Sequence, residues 1–302
     1  MELYKKYRPD TLEGMVGNTG IINSLRKMDL TNTPHAILFS GPSGTGKTTL
    51  ARIIKNQIGC EENDYIEIDS GDFRGIDTVR EIRKQMVYSP SQGKVRMWVM
   101  DEVHQLSNDA MSAMLKALED TPKHVYFVLC TTHPDKLLKA IRTRCMSFET
   151  QLLSPEEIGK GLLIPVCKAE GIKPPLDVLK IISRDCMGSA RTALVILDKI
   201  RGLPPEQMAE MATQLATSES KVNGLCQALL KGKDWKTVSV ILKGIEEEPE
   251  GVRRCVLGYM NAVLINSGMS KAYDIMCQFE KNYYDLGRAG LTMSCFECVN
   301  SK

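Results

Sequence analysis

The chain has 302 residues, 43% of them apolar and 25% charged, and a formal net charge of +2. That length admits two or three domains, the first large enough to bury a full core, and the composition excludes a disordered or fibrous chain. No apolar run reaches the roughly 20 residues of a membrane-spanning helix, residues 1–6 carry no signal-peptide pattern, and so near-neutral a chain would meet nucleic acid only through a local basic strip. Ten cysteines without framework spacing, most of them in apolar segments, read as free thiols in a reducing compartment.

The segment Tyr4–Leu12 reads on its own as a plain N-terminal arm. Ala36–Ser40 is an apolar run of strand length, and Thr48–Ile58 has helical spacing. Between them stands Gly41-Pro42-Ser43-Gly44-Thr45-Gly46-Lys47-Thr48, followed by Thr49. Four fixed positions in eight recur by chance in roughly one chain per hundred of this length, so the flanking strand and helix carry the decision. Strand, glycine loop and helix in this order form a P-loop, whose N–H groups and helix N-terminus point at phosphate. Lys47 would reach the β- and γ-phosphates and Thr48 would ligate Mg²⁺.

Further strands are expected at Tyr65–Asp69, Val95–Asp101, Val125–Thr131 and Cys145–Phe148, with helices at Ile76–Met86 and Ala110–Leu118. Nearly continuous apolar strands alternating with helices predict a parallel sheet covered on both faces. Asp101 and Glu102 close the third of these strands, at the end where open α/β sheets bind ligands. Asp101 would hold Mg²⁺ through water, and Glu102 would orient and polarise the attacking water. The next strand ends in Thr131-Thr132-His133, where a hydroxyl could meet the γ-phosphate; His133 reads as a loop residue. Pro155–Leu203 reads as a small helical domain whose last helix starts at an N-cap, Ser189. From Pro205 the pattern is all-helical, interrupted at Gly232, Glu246–Gly251, Gly268 and Gly287–Gly290. Cys295 and Cys298 are expected to pack in a helix and not to bind metal.

Taken together, these motifs resemble an AAA+ ATPase, and within that class a DNA-polymerase clamp-loader subunit such as bacterial polymerase III gamma/tau or the replication factor C small subunits. The entry motif Tyr7-Arg8-Pro9 with Val16-Gly17-Asn18 carries the narrower likeness, and the resemblance places Tyr7, Arg8, Pro9 and Val16 beside the adenine of ATP. It makes Thr132 a sensor of the γ-phosphate. Arg142-Thr143-Arg144-Cys145 is similar to the family's Ser-Arg-Cys motif, with Thr143 in place of serine, which makes Arg144 a finger into the neighbouring subunit's site. Gly188-Ser189-Ala190-Arg191 is similar to the second sensor motif, so Arg191 would contact the γ-phosphate; Thr192 stands where an acidic residue is usual.

The resemblance implies an α/β core at 1–150, a helical lid at 151–203 and a helical collar at 204–302. Leu225–Ile245 and Met276–Val299, including Tyr283 and Tyr284, would form the collar helices. It further implies a pentameric ring with other loader subunits, a sliding clamp and primer–template DNA as partners, ATP and Mg²⁺ as ligands, and a bacterial or phage-infected cytoplasm. Where gamma/tau carries a four-cysteine zinc module this chain has only Cys60, so no zinc is expected; a short, zinc-free form points to a phage-like minimal system. The candidates for DNA phosphate contact are Arg74, Arg80 and Lys84, with Lys94 and Lys116 behind them, while Met111 and Met114 read as core. Two other readings stand beside this one: another AAA+ replication or branch-migration motor, or a non-catalytic scaffold like the delta-prime subunit.

Overall fold

The computed structural model describes residues 1–29, 35–219, 221–245, 249–283 and 286–300. The first helices are α1 (Leu3–Lys6) and α2 (Thr19–Lys27). An alternating series follows: β1 (Ala36–Ser40), α3 (Lys47–Gln57), β2 (Tyr65–Asp69), α4 (Ile76–Gln85), β3 (Arg96–Asp101), α5 (Asn108–Glu119), β4 (Val125–Thr131), α6 (Lys139–Arg144) and β5 (Met146–Glu149). The sheet is wholly parallel, in the order β2-β3-β4-β1-β5.

Strand alternation covers both faces. Ile37 and Phe39 on β1, with Val99 and Val128, pack under α2 and α3. Ala36 and Leu38, with Trp98, Met100 and Phe127, turn to the other face, beneath α4, α5 and α6. Met111 and Met114 are buried there, as core. The chain order leaves β4 between the strands that precede the P-loop and the acidic pair. All three strand ends therefore open on one edge.

Element ends differ from the sequence expectation by a residue or two, for local reasons. Gly46, at φ +96°, is the N-cap of α3, so the helix starts at Lys47. Ser107 accepts a hydrogen bond from Ala110 N and sets the start of α5 at Asn108. Cys145 terminates α6, which moves β5 to Met146–Glu149.

A π-helical segment (Glu157–Leu163) runs into α7 (Ile164–Glu170), followed by α8 (Leu176–Asp185) and α9 (Ala190–Ile200). Ser189 caps α9 by accepting from Thr192 N. The remainder is helical: α10 (Pro205–Glu219), α11 (Lys221–Leu230), α12 (Trp235–Gly244), α13 (Pro249–Ser267), α14 (Ser270–Gln278) and α15 (Gly287–Asn300). Gly232 (φ +65°) and Gly268 (φ +64°) break the run as expected. Two expected interruptions are helical in part, with residues 246–248 outside the described residues. Residues 250 and 251 lie in the first turn of α13, because Glu250 is bonded by Arg253 and Arg254 one turn on. Gly287–Gly290 opens α15, where a Cβ on Gly290 would come within 2.8 Å of the Tyr283 ring. Tyr284 lies outside the described residues.

Contacts divide the chain into two units. One is Met1–Pro174 with Gly188–Arg201; the other is Pro175–Met187 with Gly202–Lys302. The second has its own core of Leu225, Val238, Val256, Met260, Phe279 and Cys295. Among the described residues no helix is long and apolar enough to cross a membrane.

Candidate nucleotide site

The P-loop bends sharply because its glycines adopt conformations that other residues avoid. Gly44 has φ +77°, and a Cβ there would lie 2.2 Å from Ser189 Oγ, at the start of α9. At Gly41 the backbone passes so close to Thr150 that a Cβ would sit 2.3 Å from its carbonyl oxygen. The loop is braced from below by Thr45, whose hydroxyl donates to Pro42 O (2.8 Å) and pairs with Thr150 Oγ1 (2.7 Å).

Lys47 is 6% exposed, and its ammonium donates to Gly41 O (2.8 Å) and Pro42 O (2.9 Å). Burial lowers its pKa, with the carboxylates of Glu102 and Asp101 among the groups acting in the other direction. Thr48 Oγ1 donates to Asp101 Oδ2 at 3.0 Å, which joins the first turn of α3 to the end of β3. Burial raises the Asp101 pKa against the hydrogen bonds from Thr48 and from Glu102 N. Glu102 is held at φ +46°. Its Oε2 accepts from Thr132 N (3.1 Å) and Thr132 Oγ1 (2.9 Å), and His104 Nδ1 lies 3.2 Å away. His104 also pairs with Thr131 Oγ1 at 3.0 Å, and the His133 N–H donates to that same oxygen. His133 sits in the loop that follows β4.

These groups open on a cleft of about 310 Å³. Its polar end is lined by Ser43, Gly44, Thr45, Gly46, Lys47, Thr48, Thr49, Asp101 and Glu102. The arm contributes Tyr7, Arg8, Pro9 and Val16, and α9 contributes Arg191, whose guanidinium lies 5.6 Å from the centre of the Tyr4 ring. Arg8 is depressed in pKa by burial first, then by the charges of Arg52 and Arg191. Gly41, Pro42 and Thr132 do not line the cleft themselves: the first two accept from Lys47 within the loop, and Thr132 reaches the cleft through Glu102. The rest is lined by Tyr4, Gly14, Met15, Leu153, Gly161, Leu162, Pro165, Val166, Ala190 and Leu194, none of which the sequence assigned to the nucleotide. Tyr4 and Met15 stand within the segments that carry the entry motif, which was a usable signal; the lid residues carry none beyond being apolar.

The remaining candidates lie elsewhere. Arg144, at the end of α6, is bonded to Glu119 and to Ala140 O. On α4, Arg80 pairs with Asp77 at 2.9 Å and Lys84 with Glu81 at 3.7 Å. Arg74 donates to Gly71 O, and Lys94 and Lys116 are exposed. Cys60 is buried, its thiol pushed up to about 11 mainly by burial.

A family model described as DNA polymerase III, delta subunit, matches residues 63–154. The DNA polymerase III subunit gamma of Buchnera aphidicola subsp. Schizaphis graminum is 30% identical over 279 residues, which cover 79% of this chain and 77% of that protein. The chain belongs to the DNA polymerase III gamma/tau family. The Escherichia coli K12 tau subunit is 30% identical over 275 residues, 82% of this gamma/tau-family chain and 43% of the relative. The gamma/tau subunit of Mycobacterium tuberculosis H37Rv is 32% identical over 224 residues, 66% of this chain, which spans 39% of that relative's length. Among solved structures, the Thermotoga maritima RuvB Holliday junction branch migration motor superposes with a TM-score of 0.58 at 17% identity, covering 74% of this chain and 78% of its own. That likeness is one of fold, an AAA+ α/β core with helical parts.

Proposed function

We propose that this chain hydrolyses ATP as one subunit of a DNA sliding-clamp loader, in a pentameric ring that opens the clamp and closes it around primer–template DNA. The observation that carries the reading is the convergence on one cleft of a P-loop lysine, an acidic pair and Arg191. Membership of the gamma/tau family supplies the loader context. In this reading residues 1–150 are the ATPase core, 151–203 the lid and 204–302 the collar. A scaffold subunit would have no use for Lys47, Asp101 and Glu102 on one cleft.

The donor set suits Mg²⁺. Thr48 Oγ1 and Asp101 Oδ2, hard oxygen ligands 3.0 Å apart, stand at the polar end of the cleft. When bound there, the ion would neutralise phosphate charge. The chain's own groups do the rest. The P-loop amides and Lys47 hold the phosphates, and Lys47 exchanges its bonds to Gly41 O and Pro42 O for phosphate oxygens. Glu102 orients the attacking water and accepts its proton, and Thr132 fixes the carboxylate that does so. Arg191 reads the γ-phosphate from α9, while Tyr7, Arg8, Pro9 and Val16 enclose the base. Arg144 completes the neighbouring subunit's site, where a planar guanidinium can spread over the developing charge. Arg74, Arg80, Lys84 and Lys116 would meet DNA phosphates, giving affinity that falls with salt.

The test is ATP hydrolysis by the assembled complex, with and without primed DNA and clamp. Joint stimulation by both is expected. Glu102→Gln should keep ATP affinity and lower turnover by about 10²–10⁴; wild-type turnover in that variant would sink the role given to Glu102.

A further inference from the structure

The apolar end of the cleft has no continuous wall. It is assembled from the arm (Tyr7, Pro9), α7 (Pro165, Val166) and α9 (Leu194). Such distant pieces hold a shape only if something fastens them, and one carboxylate touches all of them. Glu170, the last residue of α7, accepts at Oε1 from Tyr7 OH (2.5 Å) and from Lys6 Nζ (2.5 Å). Its Oε2 lies 3.9 Å from Arg201, the C-cap of α9. The Glu170 side chain is 14% exposed, although it sits next to the surface. The arm is also seated by Leu3, fully buried, whose N–H donates to Asp198 on α9.

We propose that Glu170 is a positioning residue for nucleotide binding, which ties the arm to α7 and α9 and so fixes Tyr7 at the base end of the cleft. The proposal rests on the nucleotide reading above. Among its bonds the one from Tyr7 decides the effect. The Lys6 ammonium is half-exposed, and exposed ion pairs contribute little. The phenol of Tyr7 makes a charge-assisted bond to the carboxylate, and its ring lines the cleft. Of the partners of Glu170 only Tyr7 lines the cleft, and none belongs to the P-loop or the acidic pair, so its loss acts on the base and leaves the phosphates alone.

The experiment is calorimetric binding to the full chain with two probes, ATP and inorganic tripolyphosphate. Glu170→Ala and Tyr7→Phe should each weaken ATP about tenfold, with the double variant no weaker than either single one. Glu170→Gln, which retains a carbonyl acceptor, should recover part of the loss, and tripolyphosphate should bind all four variants as it binds the wild type. Wild-type ATP affinity in Glu170→Ala, additive losses in the double variant, or an equal loss for tripolyphosphate each overturn the proposal. Lys47→Ala serves as the separate control. If it binds both probes like the wild type, the nucleotide site itself is misplaced and the tether falls with it.

Discussion

Glu102 occupies a left-handed backbone conformation, at φ +46°, that disfavours a glutamate by roughly 1–3 kcal/mol. The cost is met by the bonds around it: its N–H to Asp101 Oδ1, and its carboxylate to both donors of Thr132. The P-loop shows the same dependence on unusual backbone. Gly44 carries no side chain because Ser189 stands where a Cβ would go. Gly44→Ala should destabilise the protein by about 2–3 kcal/mol, the sum of a left-handed alanine and a disturbed cap on α9. Denaturant unfolding with ATP titration would check this, and an alanine variant with unchanged midpoint and affinity would refute it. At this scale the sequence was most legible where chemistry is written as spacing. Lys47, Thr48, Asp101 and Glu102 could be named from their motifs. The bonds that Thr132 donates to Glu102 and Tyr7 donates to Glu170 could not, because they join residues 30 and 163 positions apart.

Helices and strands show where local patterns suffice and where they fail. Ala36–Ser40, Tyr65–Asp69 and Val125–Thr131 were readable to the residue, since apolar runs bounded by glycine or polar turns leave little choice. The start of α13 was not. Gly251 looks like a break, yet Glu250 gathers Arg253, Arg254 and the Tyr283 N–H around one carboxylate. The Arg253 bond first, and then that N–H against the effect of burial, bring its pKa from 4.5 down to about 2. A carboxyl depressed on folding contributes stability that is fully present above its unfolded pKa and disappears as pH falls through the folded one. Glu250→Gln should therefore unfold at lower denaturant than wild type at neutral pH, with the gap closing between about pH 4.5 and pH 2. A gap that stays constant over that range would show that the charge is not what matters.

For the molecule as a whole, Arg144 is not among the residues that line its own chain's cleft. It closes α6 and bonds Glu119 at the surface, a bond that the proposed finger role would have it give up for the neighbouring subunit's nucleotide. Arg144→Ala should cut turnover by the assembled complex by about 10³ or more. Steady-state hydrolysis at saturating ATP would measure this, and an assembly that kept wild-type turnover would remove the inter-subunit finger from the proposal.

The division of the chain into units has a practical consequence for anyone cutting it. Helix α8 belongs to the same contact unit as α10, yet α9 lies between them in sequence and belongs to the other unit. Val178 and Ile182 of α8 are fully buried, and Met208 and Ala212 of α10 are buried with them. A protease acting near residue 202 would thus leave α8 on the N-terminal fragment, stripped of α10. That fragment would present a newly bared greasy stripe and clump, while the released C-terminal fragment would lack one of its own helices.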